Sequence, residues 1–155
     1  MAKFCLKYNI ELKQPLPLTF NNGWFSGFID SDGSVYYSET SGQVFISIFQ
    51  KSIYLLELLV NVYGGKISPV SKKIDAFKYV VYKKDDLFNL IDNSFIQNPL
   101  RTLKLERVKL IKQFYTARFH RNSSSSTNEW LAFKNKWENY NSSILNEEVN
   151  PNSKN

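Results

Sequence analysis

Histidine and cysteine are almost absent from this chain: its 155 residues hold one of each, His120 and Cys5. A single cysteine excludes an intrachain disulfide and a cysteine-built zinc site, and a single histidine argues against a histidine-built one. A Ser–His or Cys–His catalytic pair would need one of these two residues, and neither stands in a recognisable motif. Long apolar runs are missing too, since none approaches the roughly 18 residues of a membrane-crossing helix. The N-terminal stretch MAKFCLKYNIELKQPLPLTF has no signal-peptide apolar core and is poor in the arginine and serine of a transit peptide. The expectation is a soluble intracellular protein without a membrane partner.

What is present has a direction. Basic residues outnumber acidic ones by 20 to 14, a net charge of +6, which favours a polyanionic partner. A hydrophobic content of 43% is enough to bury a real core, and the length suits one domain of ordinary size.

Residues 1–20 read as an extended lead-in, because Pro15 and Pro17 block a helix. Asn21 and Asn22 offer a cap before the short apolar stretch GWFSGFIDSDG. Strands are expected over 34–39 and 43–50, with Val44, Ile46 and Ile48 on one face and Gln43, Phe45, Ser47 and Phe49 on the other. Ser52 caps a helix that Gly64 and Gly65 end, a second strand pair follows at 66–70 and 76–82, and Asp85 and Asp86 cap another short helix. The longest helix covers 102–119, and Trp130, Phe133 and Trp137 mark a last one around 127–141. The core is thus expected over 21–120. A serine-rich break (123–126) and the C-terminal helix fall within 121–145, and a disordered tail over 146–155. Helices alternating with antiparallel strand pairs give an α+β fold whose sheet is covered on one face.

The chemistry concentrates in residues 24–33, WFSGFIDSDG. Gly23, Gly27 and Ser31 fall on one helix face, and each glycine costs about 1 kcal/mol relative to alanine. A close approach by a second helix would offset that cost. Asp30 and Asp32 stand at the C-terminal end, where the helix dipole is already negative, so a cation is expected there. Mg²⁺ is the usual choice of an all-oxygen site. A D-x-D-G sequence is also common in plain turns.

The nonapeptide Phe25, Ser26, Gly27, Phe28, Ile29, Asp30, Ser31, Asp32, Gly33 resembles, position by position, the signature of the LAGLIDADG homing endonucleases. Gln50-Lys51-Ser52 is similar to a family segment closing the second strand, and NPLRTLKLER from Asn98 resembles the segment that carries the family's lysine, here Lys104. The resemblance runs over about residues 20–120 and implies an αββαββα core with a saddle-like antiparallel sheet. It implies that Asp32 ligates a divalent metal, that Asp30 ties the helix ends, and that Gly27, extended by Gly23, lies between two motif helices. It further implies that Gln50 orders water near the scissile phosphate and that Lys104 joins the solvent network around the nucleophile. The activity implied is site-specific, Mg²⁺- or other divalent-cation-dependent cleavage of both DNA strands. An RNA maturase acting on group I intron RNA and a non-catalytic DNA-binding relative are the alternatives; intact Asp32, Gln50 and Lys104 favour the first reading.

One nonapeptide cannot supply two motif helices, and no second copy occurs, so the chain is expected to pair as a homodimer or with a second LAGLIDADG half. Double-stranded DNA would lie on the open sheet face. Strand alternation nominates Ser34, Tyr36, Ser38 and Thr40 on the first strand, Ser47 on the second, Ser68 and Lys72 on the third, and Lys78, Val80 and Tyr82 on the fourth. Lys51, Lys66, Lys73, Arg101 and Arg107 are expected at phosphates. A composition rich in Lys, Asn, Ile, Phe and Tyr suggests an AT-rich genome and, with this resemblance, a mitochondrial intron. Gly33→Ala is expected to be milder than Gly27→Leu.

Overall fold

The computed structural model describes residues 17–121 and 128–139. The lead-in over 1–16, the serine break at 123–126 and the tail at 146–155 lie outside the described residues. Helix α1 spans Trp24–Asp32 and passes without a loop into β1, Gly33–Ser38. Strand β2 (Gln43–Gln50), α2 (Ile53–Tyr63), β3 (Lys66–Ser71), β4 (Ile74–Val81) and α3 (Lys84–Leu90) follow. After a π-helical turn at Ile91–Phe95 come α4 (Lys104–Ala117), one 3₁₀ turn at Arg118–His120, and α5 (Asn128–Glu138). The order is the expected αββαββα with further helices behind it.

The four strands form one antiparallel sheet in the order β1-β2-β4-β3. Period-2 alternation divides it cleanly. Val35, Val44, Ile46, Ile48, Tyr79 and Val81 are buried on the helical side, against Phe25 and Ile29 of α1, Leu56 and Leu59 of α2, and Val108, Ile111 and Phe114 of α4. The opposite face carries Ser34, Tyr36 and Ser38, then Phe45, Ser47 and Phe49, then Lys78 and Val80, then Lys66 and Ser68, as the strand register requires. Edge strand β3 contains Pro69, which an edge accommodates because it needs no donated hydrogen bond there. Trp130, Phe133 and Trp137 are the buried face of α5, and all three rings touch Tyr37 of β1 at 5.2–6.0 Å between centroids. Gly64 and Gly65 end α2 with two successive positive φ angles, +74° and +83°, which glycine alone adopts at little cost.

Some boundaries differ from expectation for physical reasons. Thr40 belongs to the β1–β2 turn rather than to the first strand, because the chain has already reversed: the Gly42 N–H donates to Ser38 O at 2.9 Å. Lys72 and Lys73 likewise occupy the β3–β4 turn, brought there by the register shift between Pro69 and Ser71. Tyr82 lies one residue past the end of β4.

Gly33 is required by contact rather than by conformation. Its backbone is extended, so no special φ is involved, but a Cβ there would stand 2.7 Å from both Cα and O of Ile29. The helix folds back onto its own following strand too closely for a side chain. At Gly27 a Cβ would meet nothing within 4 Å. Gly33→Ala should therefore lower stability by about 1–3 kcal/mol, whereas Gly27→Ala should raise that of the isolated chain by about 1 kcal/mol. Urea denaturation of the two variants beside the parent chain checks the order.

Candidate active site

The site forms where α1 ends. Asn22 Oδ1 accepts from the Trp24 N–H at 3.2 Å and starts the helix, and the Gly33 N–H closes it on Ile29 O. Within the nonapeptide, faces are strictly assigned. Phe25, Ser26 and Ile29 are buried, with Phe25 stacked on Tyr63 at 4.2 Å. Gly23, Gly27, Ser31 and Asp32 are exposed, and Phe28 is half-buried against Trp24. Phe25, Ser26 and Gly33 are thus buried within this chain. Ser26 Oγ donates to Asn98 O, which binds α1 to the loop before α4.

Asp30 and Lys104 complete that link in opposite directions. The Asp30 carboxylate accepts from the Arg101 N–H at 2.7 Å, the Thr102 hydroxyl at 2.6 Å and the Thr102 N–H at 3.3 Å, so it caps the segment leading into α4. Lys104 Nζ donates back to Ile29 O at 2.9 Å and Asp30 O at 2.7 Å, the terminal carbonyls of α1. Part of the cation required at this negative helix end is therefore the chain's own ammonium. The resemblance placed Lys104 in the solvent network around the nucleophile; here both of its hydrogen bonds go to backbone oxygens. Burial opposes ionisation of Asp30, but the hydrogen bonds from Arg101 and Thr102, with the charge of Lys104, outweigh it and hold the carboxyl below 3.8.

Asp32 remains directed outward. Gln50, at the end of β2, donates from Nε2 to Asp32 Oδ2 at 2.9 Å. This exposed oxygen donor, oriented by an amide, suits a hard divalent cation such as Mg²⁺. It is incomplete by itself, since no group of three or more His, Cys, Asp or Glu side chains gathers among the described residues. Beside it runs the exposed line of Gly23, Gly27 and Ser31, flanked by a cleft lined by Asn98, Pro99 and Arg101.

On the bare sheet face the nominated residues are sorted by exposure. Ser34 and Lys66 are exposed, and Tyr36, Ser38, Ser68 and Lys78 are half-buried. Ser47 and Val80, paired in register, are 1% and 6% exposed and lie beneath that surface, so they are corrected from readers to supports. Lys51, Lys72, Lys73, Thr40 and Arg101 are exposed in turns and loops, and Tyr82 is half-buried beneath the Lys66 ammonium. Arg107 is turned to the helical side: its Nη1 donates to Val35 O at 3.1 Å and its guanidinium lies over Trp137, which removes it from the expected phosphate contacts. Sequence reasoning missed Thr102 and Asn98, whose partners are more than 70 residues away. It also passed over Phe49, although strand parity had already put that residue on the bare face.

One face of the four-stranded sheet packs against the described helices, and α1 delivers one oriented carboxylate beside two glycines. The family model described as LAGLIDADG endonuclease matches residues 25–115, and the chain belongs to that family. It is 33% identical over 147 residues to the intron-encoded RNA maturase bI4 of Saccharomyces cerevisiae, covering 88% of this chain and 23% of that protein. It is 28% identical over 162 residues to a probable intron-encoded endonuclease aI2 of Debaryomyces hansenii, covering 88% and 24% respectively. Among solved structures, the LAGLIDADG homing endonuclease I-GzeII in complex with its DNA target superposes with a TM-score of 0.56 at 22% identity, over 90% of this chain and 52% of that one. The chain therefore spans about a quarter of those two relatives and about half of the solved endonuclease.

The clasp yields a pH test. A carboxyl whose pKa is lowered on folding contributes stability that is present above the unfolded value, near 3.8, and is lost as pH falls through the lower folded value. Asp30→Asn should cost about 1 kcal/mol at pH 7 and should flatten the acid limb of the stability curve below pH 3.8. Denaturation midpoints measured from pH 7 to pH 2 check both.

Proposed function

We propose that this chain is one half of a site-specific, divalent-metal-dependent DNA endonuclease, completed by a second copy of itself or by a second LAGLIDADG half. The observation that carries this reading is the end of α1, where Asp32 is exposed and oriented by Gln50 beside a helix line of small residues. One carboxylate per chain makes a site only when two such ends meet. Gly23 and Gly27, which have no Cβ, and the small side chain of Ser31 leave room for that meeting, since such a surface can be approached closely.

Divalent cations held between two such carboxylates would supply Lewis-acid activation of the phosphoryl oxygen and of water. The chain's own part is positional. Gln50 keeps the Asp32 carboxylate in one orientation, Lys104 neutralises the carbonyl end of the helix, and Asp30 fixes that end to α4. The bare face of the sheet, with Lys66 and Lys78 above its rings, offers the duplex a cationic surface. An organelle, the mitochondrion above all, is the compartment we infer, from an intron-encoded origin shared with the relatives.

The 33% identity to a protein named as an RNA maturase favours a second reading, in which the same scaffold assists splicing of a group I intron. The rings of the sheet face bear on the choice. Tyr36 and Phe45 stack on each other at 5.1 Å and 15°, and Phe45 on Tyr82 at 6.5 Å and 26°. Rings that spend their faces on one another are poorly placed to stack unpaired RNA bases, whereas a duplex groove asks only for edges.

Asp32→Asn should abolish nicking and double-strand cleavage while leaving duplex binding intact, and Gln50→Ala should slow cleavage by about 10–100-fold. Single-turnover cleavage with Mg²⁺ on a library of intron-lacking target DNA decides the point; an Asp32→Asn chain that cuts at the parent rate overturns the assignment. Assembly is tested separately. Gly27→Leu should give a folded chain that sediments as a monomer and does not cut, while the parent chain sediments as a dimer or requires an added second half.

A further inference from the structure

Phe49 is the side chain of the bare sheet face that the fold does not explain. It is 48% exposed, whereas Tyr36, Phe45 and Tyr82 on the same side are half-buried. Tyr36, Phe45 and Tyr82 cover one another, and Ser47 and Val80 lie buried at its side. Phe49 has a cation beside it. Lys78, its partner in register, holds its ammonium 5.4 Å from the ring centroid while donating to the Tyr36 hydroxyl at 2.9 Å. The ring is therefore fixed on one side and presented on the other.

The major groove of a duplex offers one apolar group to such a ring, the C5 methyl of thymine. Stacking on a base would need that base unpaired, which a closed duplex does not provide. Along β2, Phe49 is followed by Gln50, whose amide holds Asp32. The two side chains leave opposite faces of the sheet, so Phe49 lies one strand residue from the end of β2 that carries the Asp32–Gln50 pair. We propose that Phe49 is a specificity-determining residue that reads a thymine methyl at a base pair next to the cleavage centre. This rests on the endonuclease reading above and adds to it a base identity and the residue that recognises it.

The experiment is binding selection from a randomised duplex library with the whole chain, followed by replacement of selected thymines with deoxyuridine, which removes the methyl and keeps the hydrogen-bonding pattern. The parent protein should select thymine at a position near the centre of each half-site. Deoxyuridine there should weaken binding about fourfold, the worth of one buried methyl. Phe49→Ala should lose the preference and bind thymine and deoxyuridine equally, and Phe49→Leu, which keeps apolar bulk, should retain part of it. If the parent selects a sequence but no central thymine is sensitive to deoxyuridine, or if Phe49→Ala remains as sensitive as the parent, the proposal for Phe49 is overturned and the endonuclease reading stands. If the parent sediments as a dimer and still selects no duplex sequence at all, the endonuclease reading falls, and this proposal with it.

Discussion

Asp30 and Lys104 exchange hydrogen bonds across the junction of two helices, and the rest of the site depends on that exchange. The carboxylate of one caps the approach to α4, and the ammonium of the other caps the end of α1. Neither helix end can turn without breaking charge-assisted bonds at the other, and such bonds are the stronger kind. Asp32 follows Asp30 by two residues, so its position outside the core is set by the clasp. Gly33 acts from the other side by letting the chain leave the helix at van der Waals contact with Ile29. The direction of the Asp32 carboxylate is thus a consequence of how the helix is stopped.

The same helix divides its labour by face. Phe25 and Ile29 supply apolar burial to the chain's own core, while Gly23, Gly27 and Ser31 supply almost none. In an isolated chain the two glycines are a net loss in helix propensity. Their place is accounted for by the pairing proposed above, in which a bare backbone lets a second helix approach. On that reading the stability of the chain alone and the fit of the pair are in tension along a single helix.

Local features were legible in the sequence, and distant ones were not. The nonapeptide, the alternation of β2 and the glycine stop after α2 each lie within a few residues and follow from period and conformational preference. The clasp joins groups 71 to 75 residues apart, and no period in the chain announces it. Thr40 and Lys72 were misplaced because alternation says which side a strand residue faces but not where the strand ends. Arg107 was misread for a related reason: a positive charge on a helix gives no sign that a strand carbonyl and a tryptophan ring already hold it. Ser47 had the right parity, yet parity says nothing about what larger neighbours cover.

The two borders of the sheet have a consequence for how copies of this protein can meet. At β3, Pro69 interrupts the row of donors, and lysines crowd the turn that follows. At β1, the guanidinium of Arg107 already occupies the carbonyl of Val35. Strands of another molecule find neither border ready for extension, and such blunting is how sheet proteins avoid uncontrolled growth. Among the described residues the sheet borders thus offer little to another strand, whereas the glycine line of α1 is left open.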